Sequence, residues 1–283
     1  LEGIKLQDMA QGLVQLIVRN LFERTADVRW WATDPSLWRA LADPTSERCA
    51  FAAKRLGVIN RFYSVYVNLV LTDAEGRVVA VANPKYRSLK AANLADERWF
   101  RMASKTRSGD DYVVDDPRAD RHHDGHRVLV YATGVRAGGE PDGPLIGTLG
   151  VYFDWEEQGR SIVEDEPTLS EADRRRTTVA LLDADHRVIA ITDPDMLWQT
   201  FPLRNEGEHK GSYDDGGRIV AFARTIGYQE YDGLGWWGLV IQQAEDERTI
   251  RASLGVFEGR RAGRSGGRRA GAGSHRARAF GAR

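Results

Sequence analysis

Apolar positions at the start of the chain follow a helical period. Leu, Met and Ile recur at spacings of three and four residues, at Leu6, Met9, Leu13, Ile17 and Leu21. The pattern continues toward Trp31 and stops at "TDP" (33–35), which predicts a helix of roughly 25 residues. A helix of this length exceeds the usual length of helices in globular proteins and can span more than one domain.

Two Asp-Pro pairs follow this helix. At Asp34-Pro35 and Asp43-Pro44 the sequence predicts a capping side chain followed by Pro at the first helical position. We therefore expect each pair to open a short helix.

Strand patterns dominate the next part of the chain. Val, Tyr and Leu at 64–73 predict a strand, Asp73–Gly76 a turn, and "RVVAVA" (77–82) the paired strand. An amphipathic segment at 94–105 then predicts a short helix. Three further strands are predicted at 112–116, 127–136 and 145–155, the last two joined by a hairpin loop.

The same order begins again after a linker at 156–176. "LTDAEGRVVAVANP" (71–84) and "LLDADHRVIAITDP" (181–194) are identical at seven of fourteen positions. A short helical piece (193–201) and three strands follow the second copy. A repeat of about 110 residues is the size of a small domain. The pattern predicts an α+β fold: a long N-terminal helix followed by two tandem modules, each an antiparallel sheet with flanking helices.

This reading divides the chain into four segments. They are a long helix with short helices (1–63), a first module (64–156), a second module (157–248) and a tail (249–283).

Charge is unevenly distributed between the tail and the rest of the chain. Residues 259–283 contain eight Arg and no Asp or Glu, and removing these eight positive charges from the net −1 leaves −9 for residues 1–258. An acidic body does not favour nucleic-acid binding. The Arg/Gly/Ala-rich tail cannot bury a core, and we expect it to be a disordered native segment or an added extension.

Several function classes lack their sequence signatures. The single Cys49 excludes a disulfide framework and a Cys-based zinc site. The Gly-rich stretches lack the Lys-Ser/Thr pair of a P-loop, and no nucleophile-elbow pattern is present. "GGEPD" (138–142) only superficially matches the cyclase signature GGDEF. We therefore predict no enzyme activity and no cofactor.

The segment "HHDGH" (122–126) has two readings. His and Asp can bind zinc or nickel, but the Asp-Gly pair marks a tight turn and no distant ligand completes a set. We predict a solvated loop near a pocket mouth without metal. Loop His residues titrate near neutral pH and could modulate ligand affinity.

With these features the sequence resembles the double Cache (dCache) extracytoplasmic sensor domains of bacterial receptors, over about residues 5–248. The resemblance is carried by the long helix, the twin "D-A-x-x-R-V-x-A" hairpins and "DERWFRMA" (96–103). It implies that residues 64–156 form a membrane-distal module with a small ligand between its sheet and the layer facing it. It also implies a homodimer in the full-length receptor.

The resemblance implies a set of ligand-binding residues in this first module. Trp99 matches the family's Trp, Phe100 stands where the amino-acid-binding subset has Tyr, and Arg98 is one place from the family's Arg. Carboxylates and phenol rings complete the set: Tyr112, Asp115, Tyr131, Tyr152 and Asp154. Two carboxylates among aromatic rings favour a cationic or amphipathic ligand, such as an amino acid, an amine or another small metabolite.

Three functions are consistent with these patterns. The first is the periplasmic sensing domain of an inner-membrane chemoreceptor (a methyl-accepting chemotaxis protein). The second is the sensor domain of a histidine kinase or diguanylate cyclase, and the third is a soluble binding protein with tandem PAS-like modules. The chain begins at Leu1 without Met and has no apolar run of about 18 residues. We therefore expect a fragment whose membrane helices lie outside it.

Overall fold

A computed structural model describes residues 1–245. Predictions for the tail and for 246–248 lie outside the described residues. The first helix, α1 (Glu2–Trp31), is longer than the periodicity predicted. Its buried stripe includes Leu6, Leu13, Ile17 and Leu21, and it packs against strands of both sheets described below.

Helix α2 (Pro35–Ala42) begins as predicted, because the Asp34 carboxylate accepts a hydrogen bond from the Ser36 N–H at 2.9 Å. The prediction for Asp43-Pro44 is wrong. Helix α3 (Ser46–Phe62) is capped by Thr45, whose Oγ1 accepts from the Arg48 N–H at 3.2 Å. Asp43 instead terminates α2, so Pro44 lies in the connection and does not open a helix.

The first sheet is antiparallel and holds the five strands predicted between 64 and 155, together with one short strand at 118–119 that was not predicted. In chain order they are β1 (Tyr66–Asp73), β2 (Val78–Val81), β3 (Val113–Val114), β4 (Arg118–Ala119), β5 (Arg127–Arg136) and β6 (Leu145–Phe153). They lie in the order β2-β1-β6-β5-β3, with β4 beside β5. The short helix α4 (Arg98–Ala103) packs on β5 and β6.

The second sheet repeats this topology. Its strands are β7 (Thr177–Leu182), β8 (Val188–Ile191), β9 (Lys210–Asp214), β10 (Arg218–Arg224) and β11 (Trp237–Gln243), in the order β8-β7-β11-β10-β9. The short helical piece predicted at 193–201 is a single 3-10 turn, Pro194–Met196. The segment predicted as a linker contains helix α5 (Trp155–Arg160), a π-helical turn (Ser161–Asp165) and helix α6 (Glu171–Arg176).

The two sheets share one hydrophobic core with α1, and each has a second apolar cluster on its outer face. Residues Leu1–Gln243 form one compact unit. The predicted α+β class, with a long helix and two antiparallel sheets, is confirmed. The strands fall within the two predicted modules, whose boundaries stay a prediction. No helix within residues 1–245 is both long and apolar enough to cross a bilayer.

Candidate functional site

The outer face of the first sheet is covered by α4 and by loops on either side of it. Trp99, on α4, lies flat against β6, since a Cβ added to Gly150 would come within 2.8 Å of Trp99 Cη2. The Trp99 indole N–H donates to the Tyr152 hydroxyl at 3.1 Å, and both side chains are fully buried. The glycine in β6 therefore lets the indole approach the sheet backbone closely.

His123 occupies the space beside this pair and is fully buried. Its ring lies between the rings of Tyr86 and Tyr152, with centroid distances of 4.5 and 4.4 Å. The turn at Asp124 and Gly125, both at positive φ, reverses the chain immediately after it. The prediction that "HHDGH" is a solvated loop is therefore wrong for His123, because this turn directs its ring into the outer layer.

Hydrogen bonds fix the tautomer of His123. Asn68 Oδ1 accepts from two backbone N–H groups, those of Leu69 and Asn83, at 2.9 and 3.0 Å. The Asn68 amide must therefore donate through Nδ2 to His123 Nε2, at 3.1 Å. Nδ1 carries the ring proton and donates to Asp120 Oδ2 at 2.6 Å. The imidazole is thus neutral, with both nitrogens paired.

A group of charged side chains continues from Asp120 toward solvent. Arg118 donates to Asp120, Asp115 and Glu97 at 3.1, 2.9 and 3.3 Å, and all three carboxylates are buried. Arg98, half-exposed, donates to Asp115 at 3.1 Å and to the exposed Asp116 at 3.0 Å. The buried charges are therefore compensated, and Arg98 closes the group at the surface.

The pKa of Asp120 reflects these contacts. Burial alone would raise this pKa, but the hydrogen bond that His123 donates and the positive charge of the Arg118 guanidinium lower it by more. The net result is a pKa below the ordinary value for Asp. Asp120 therefore stays ionised inside the layer.

Five of the eight predicted ligand-binding residues lie together in this layer. Trp99, Phe100 and Tyr152 belong to one apolar cluster, and Asp115 and Arg98 border it. Phe100 is buried, with its ring centroid 6.4 Å from that of Trp99. These five residues are therefore neighbours in the fold, and their role in ligand binding stays a prediction.

The other three predicted residues lie elsewhere. Tyr131 points to the opposite face of the sheet, where its hydroxyl is 3.0 Å from that of Tyr231. Tyr112 stacks near Tyr131, with centroids 6.4 Å apart. Asp154 caps α5 through the Glu157 N–H and pairs with His126 Nε2 at 2.7 Å. Alternation along β5 and β6 explains the separation: Tyr131 faces Val151 in register, whereas Tyr152 faces Val130.

Four residues of this layer were not identified from the sequence. They are polar or charged and buried: Asn68, Glu97, Asp120 and His123. "ADRHH" (119–123), with Asp three residues before His, contains the one local signal that could have found the Asp120–His123 pair. Asn68 has no such signal, since it lies within a strand of apolar residues.

The second sheet contacts the loop that carries the carboxylates. Arg187, in the β7–β8 turn, donates to the Pro117 carbonyl at 3.2 Å. Its guanidinium also lies over the Trp198 ring, 4.5 Å from the centroid. The chain segment Asp115–Arg118 is therefore held from both sides, by α4 and by the second sheet.

The layer brings apolar and charged side chains together. It combines buried aromatic rings with a partly exposed Arg and two Asp at one edge. Across residues 1–245, no group of three or more His, Cys, Asp or Glu side chains is arranged to hold a metal ion.

Comparisons with known proteins agree on the fold. No protein-family model and no curated protein sequence matches the chain. The sensor domain of the V. cholerae histidine kinase DctB superposes with a TM-score of 0.64 at 13% identity, covering 86% of this chain and 98% of that domain. The sensory domain of the Campylobacter jejuni chemoreceptor Tlp3, with isoleucine bound, gives 0.61 at 15% identity, covering 86% and 93%.

A third similar structure is the ligand-binding domain of the Pseudomonas fluorescens chemoreceptor CtaA in complex with L-serine. It gives a TM-score of 0.59 at 14% identity, covering 85% of this chain and 96% of that domain. The chain therefore has the fold of these sensor domains along nearly their whole length. The architecture expected from the resemblance to double Cache domains is confirmed at the level of the fold.

Proposed function

We propose that this chain is the extracytoplasmic sensing domain of a bacterial transmembrane chemoreceptor, which binds a small metabolite and performs no chemistry. The main support is the layer of aromatic and charged side chains on the outer face of the first sheet. The corresponding face of the second sheet is an apolar cluster around Phe222, Trp237 and Leu239. A polar, partly exposed layer on only one of two repeated sheets favours a ligand site there.

The proposed site lies between β5, β6 and α4. Trp99, Phe100 and Tyr152 supply the ring surfaces, and Arg98 and Asp115 the charged edge. The predictions for Tyr112, Tyr131 and Asp154 require a ligand that reaches beyond this layer, and they stay predictions. Three of the similar structures, two of Tlp3 and one of CtaA, carry isoleucine, L-valine or L-serine, and we propose an amino acid or amine as the ligand class.

Ligand entry would exchange one set of ion pairs for another. Arg98 is 53% exposed and holds Asp115 and Asp116 at the edge of the layer. A ligand ammonium could replace Arg98 on these carboxylates while a ligand carboxylate pairs with the released guanidinium. Signalling requires that the ligand favour one conformation over the other, and movement of α4 would supply that difference.

A thermal-shift screen with amino acids, amines and organic acids tests this proposal. A ligand at about one hundred times its Kd should stabilise the folded domain by about 2.7 kcal/mol. We expect Arg98→Ala and Asp115→Asn to remove the shift. Arg101→Ala is the matched control, because Arg101 lies on the same helix and its exposed side chain donates to the Asp96 carbonyl, away from Asp115 and Asp116. A shift that survives both site substitutions would place the ligand elsewhere.

The sensor domain of a histidine kinase is the second candidate. The superposition on the DctB sensor domain covers 98% of that domain, with a TM-score of 0.64. A diguanylate cyclase output is compatible with the same sensor. The segment that follows the next membrane helix in the full gene distinguishes these outputs. A soluble tandem-module protein would lack a signal anchor upstream of Leu1.

We also propose a homodimer in the full-length receptor, which light scattering of the intact protein would test.

A further inference from the structure

A separate cavity of about 340 Å³ lies where the segment after the first sheet crosses the second sheet. Helix α5 and the π-helical turn form one wall, and β8 with the following turn forms the other. Its volume lies at the lower end of the range for small-molecule sites. It shares no lining residue with the layer around Trp99.

The floor of this cleft is apolar and buried. Trp155, Val163, Ile189 and Ala190 are each at most 6% exposed. The Trp155 indole N–H donates to the Ile189 carbonyl at 2.6 Å, so its polar atom is already satisfied. The floor therefore offers ring and aliphatic surface without a free hydrogen-bonding group from Trp155.

Four charged side chains border the cleft, and their pairing differs. Arg160 is held by Glu157, Glu164 and Asp165, at 2.7 to 3.3 Å. Glu156 lies 3.1 Å from His126 Nδ1. Arg127 has its nearest carboxylate, that of Glu156, at 3.7 Å, beyond hydrogen-bond distance. Arg127 is thus the least compensated charge at the rim.

The backbone beside the cleft is unusual. Residues Ser161–Asp165 form a π-helical turn, and two of them, Val163 and Glu164, line the cavity. Single π turns are rare and occur frequently at functional sites, because the extra residue per turn widens the helix and redirects side chains. Here the turn places an apolar side chain on the floor and an acidic one at the rim.

We propose that this cleft is a second ligand site, which takes a small carboxylate with a compact apolar body. The carboxylate pairs with Arg127, and the body rests on Trp155, Ile189 and Leu197. Such a ligand would contact both α5, which continues from the first sheet, and β8 of the second sheet. The inference goes beyond the proposed sensing site and does not depend on it.

Three probes separate the contributions of charge and apolar body. They are 4-methylpentanoate, 3-methylbutylamine, which replaces the carboxylate by an ammonium, and acetate, which lacks the body. Binding is followed by titration calorimetry and by the indole N–H signals in ¹H–¹⁵N NMR spectra, with Trp155→Phe assigning the Trp155 signal. We expect 4-methylpentanoate to shift that signal and to bind at least about tenfold more tightly than either other probe.

Substitutions locate the site. We expect Arg127→Gln to weaken 4-methylpentanoate binding about tenfold or more and Arg127→Lys to restore part of it. Leu197→Trp, which fills the cleft, should abolish binding, and Arg101→Ala should leave it unchanged because Arg101 does not line the cleft. An unshifted Trp155 signal, an equal Kd for the Arg127→Gln variant, or preference for the amine would overturn the proposal. Each variant's amide spectrum confirms that it is folded.

Discussion

His123 and Asp120 show how single residues determine the character of the outer layer. The imidazole is enclosed by Tyr86 and Tyr152 and is hydrogen-bonded at both nitrogens. Asp120 also accepts from Arg118 at 3.1 Å. A buried network in which each member has partners stabilises one arrangement of the layer, and removing one member leaves its partners unpaired.

We expect Asp120→Asn to lower the free energy of unfolding by about 2–4 kcal/mol at pH 7, because Arg118 loses a buried partner. The folded-state pKa of Asp120 is depressed, so its contribution is present above the unfolded value of 3.8 and is lost as pH falls through the folded pKa. The difference between the two proteins should therefore shrink at pH 3. Urea unfolding at both pH values measures it.

Asp116→Asn is the control for this experiment, because Asp116 is 70% exposed and lies in the same loop. It should leave the urea midpoint nearly unchanged at both pH values. If Asp120→Asn and wild type have the same stability at pH 7, the network does not stabilise the layer.

Gly150 and Gly12 form a second test at the residue scale. A Cβ at Gly150 would meet the Trp99 ring at 2.8 Å. Among the described residues, apart from the adjacent backbone of α1, no atom lies within 4 Å of a Cβ at Gly12. We expect Gly150→Ala to destabilise the domain by about 1–3 kcal/mol through overpacking. Gly12→Ala should stabilise it by up to about 1 kcal/mol, because Ala favours helix. Thermal unfolding measures the change in Tm of both variants. Equal changes in Tm would contradict the packing of Trp99 against Gly150.

At the scale of elements, the repeated hairpins share a turn but differ in one side chain. Asp73 and Asp183 each accept two backbone N–H bonds, from the residues two and four positions later. Arg77 then pairs with Asp73 at 2.8 Å, whereas the equivalent Arg187 reaches Pro117 and Trp198. The turn follows from local sequence. The partner of the Arg side chain depends on which segments of the fold pack beside each hairpin.

We expect Arg187→Ala to destabilise the domain by about 1 kcal/mol, because it loses a stacked and hydrogen-bonded guanidinium. Arg77→Ala is the matched substitution. Because Arg77 is exposed, the denaturation midpoint of this variant should equal that of the wild type within error. Chemical denaturation of both variants measures the difference. Equal effects would show that the contact between the second sheet and the 115–118 loop contributes nothing.

Helix boundaries illustrate what could be predicted at this scale. Asp34 caps α2 as expected. Its side-chain oxygen accepts a hydrogen bond from a free backbone N–H two residues later, so the cap needs only local sequence. Thr45, not Asp43, caps α3, and both residues are suitable caps by type. Residue type alone therefore could not choose between them.

At the scale of the whole molecule, α1 and one tyrosine pair join the two sheets. Gln11 of α1 donates to the carbonyl of Arg224 at the end of β10, and Gln15 donates to the carbonyl of Gly227 in the segment that connects β10 and β11. Within that segment Tyr231 bonds Tyr131 on the first sheet, and burial raises the pKa of both phenols. The sheets therefore share a core and a polar contact inside it.

We expect one cooperative unfolding transition in calorimetry, because the core is continuous across both sheets. In a double-mutant cycle, Tyr131→Phe and Tyr231→Phe should show a coupling energy of about 0.5–2 kcal/mol. Tyr213→Phe, on β9 and outside this contact, is the control. Additive effects of the two substitutions, or two separate transitions, would contradict direct coupling between the sheets.

The sequence by itself determined the long helix, most of the strands and their repetition. Period-two strands, the Asp-capped turns and the long amphipathic helix are set by contacts between near neighbours, so they could be read from the chain. The sequence also grouped Trp99, Arg98 and Asp115 as candidates, and they are neighbours because one helix and one strand end present them together.

Only the tertiary structure decided which polar groups meet. Asn68 and His123 are 55 residues apart, and Arg187 and Pro117 are 70 apart. Tyr131 lies on the opposite face of β5 from its neighbours along the strand. The register with β6 fixes that face. Such contacts depend on the packing of distant segments, which local sequence does not encode.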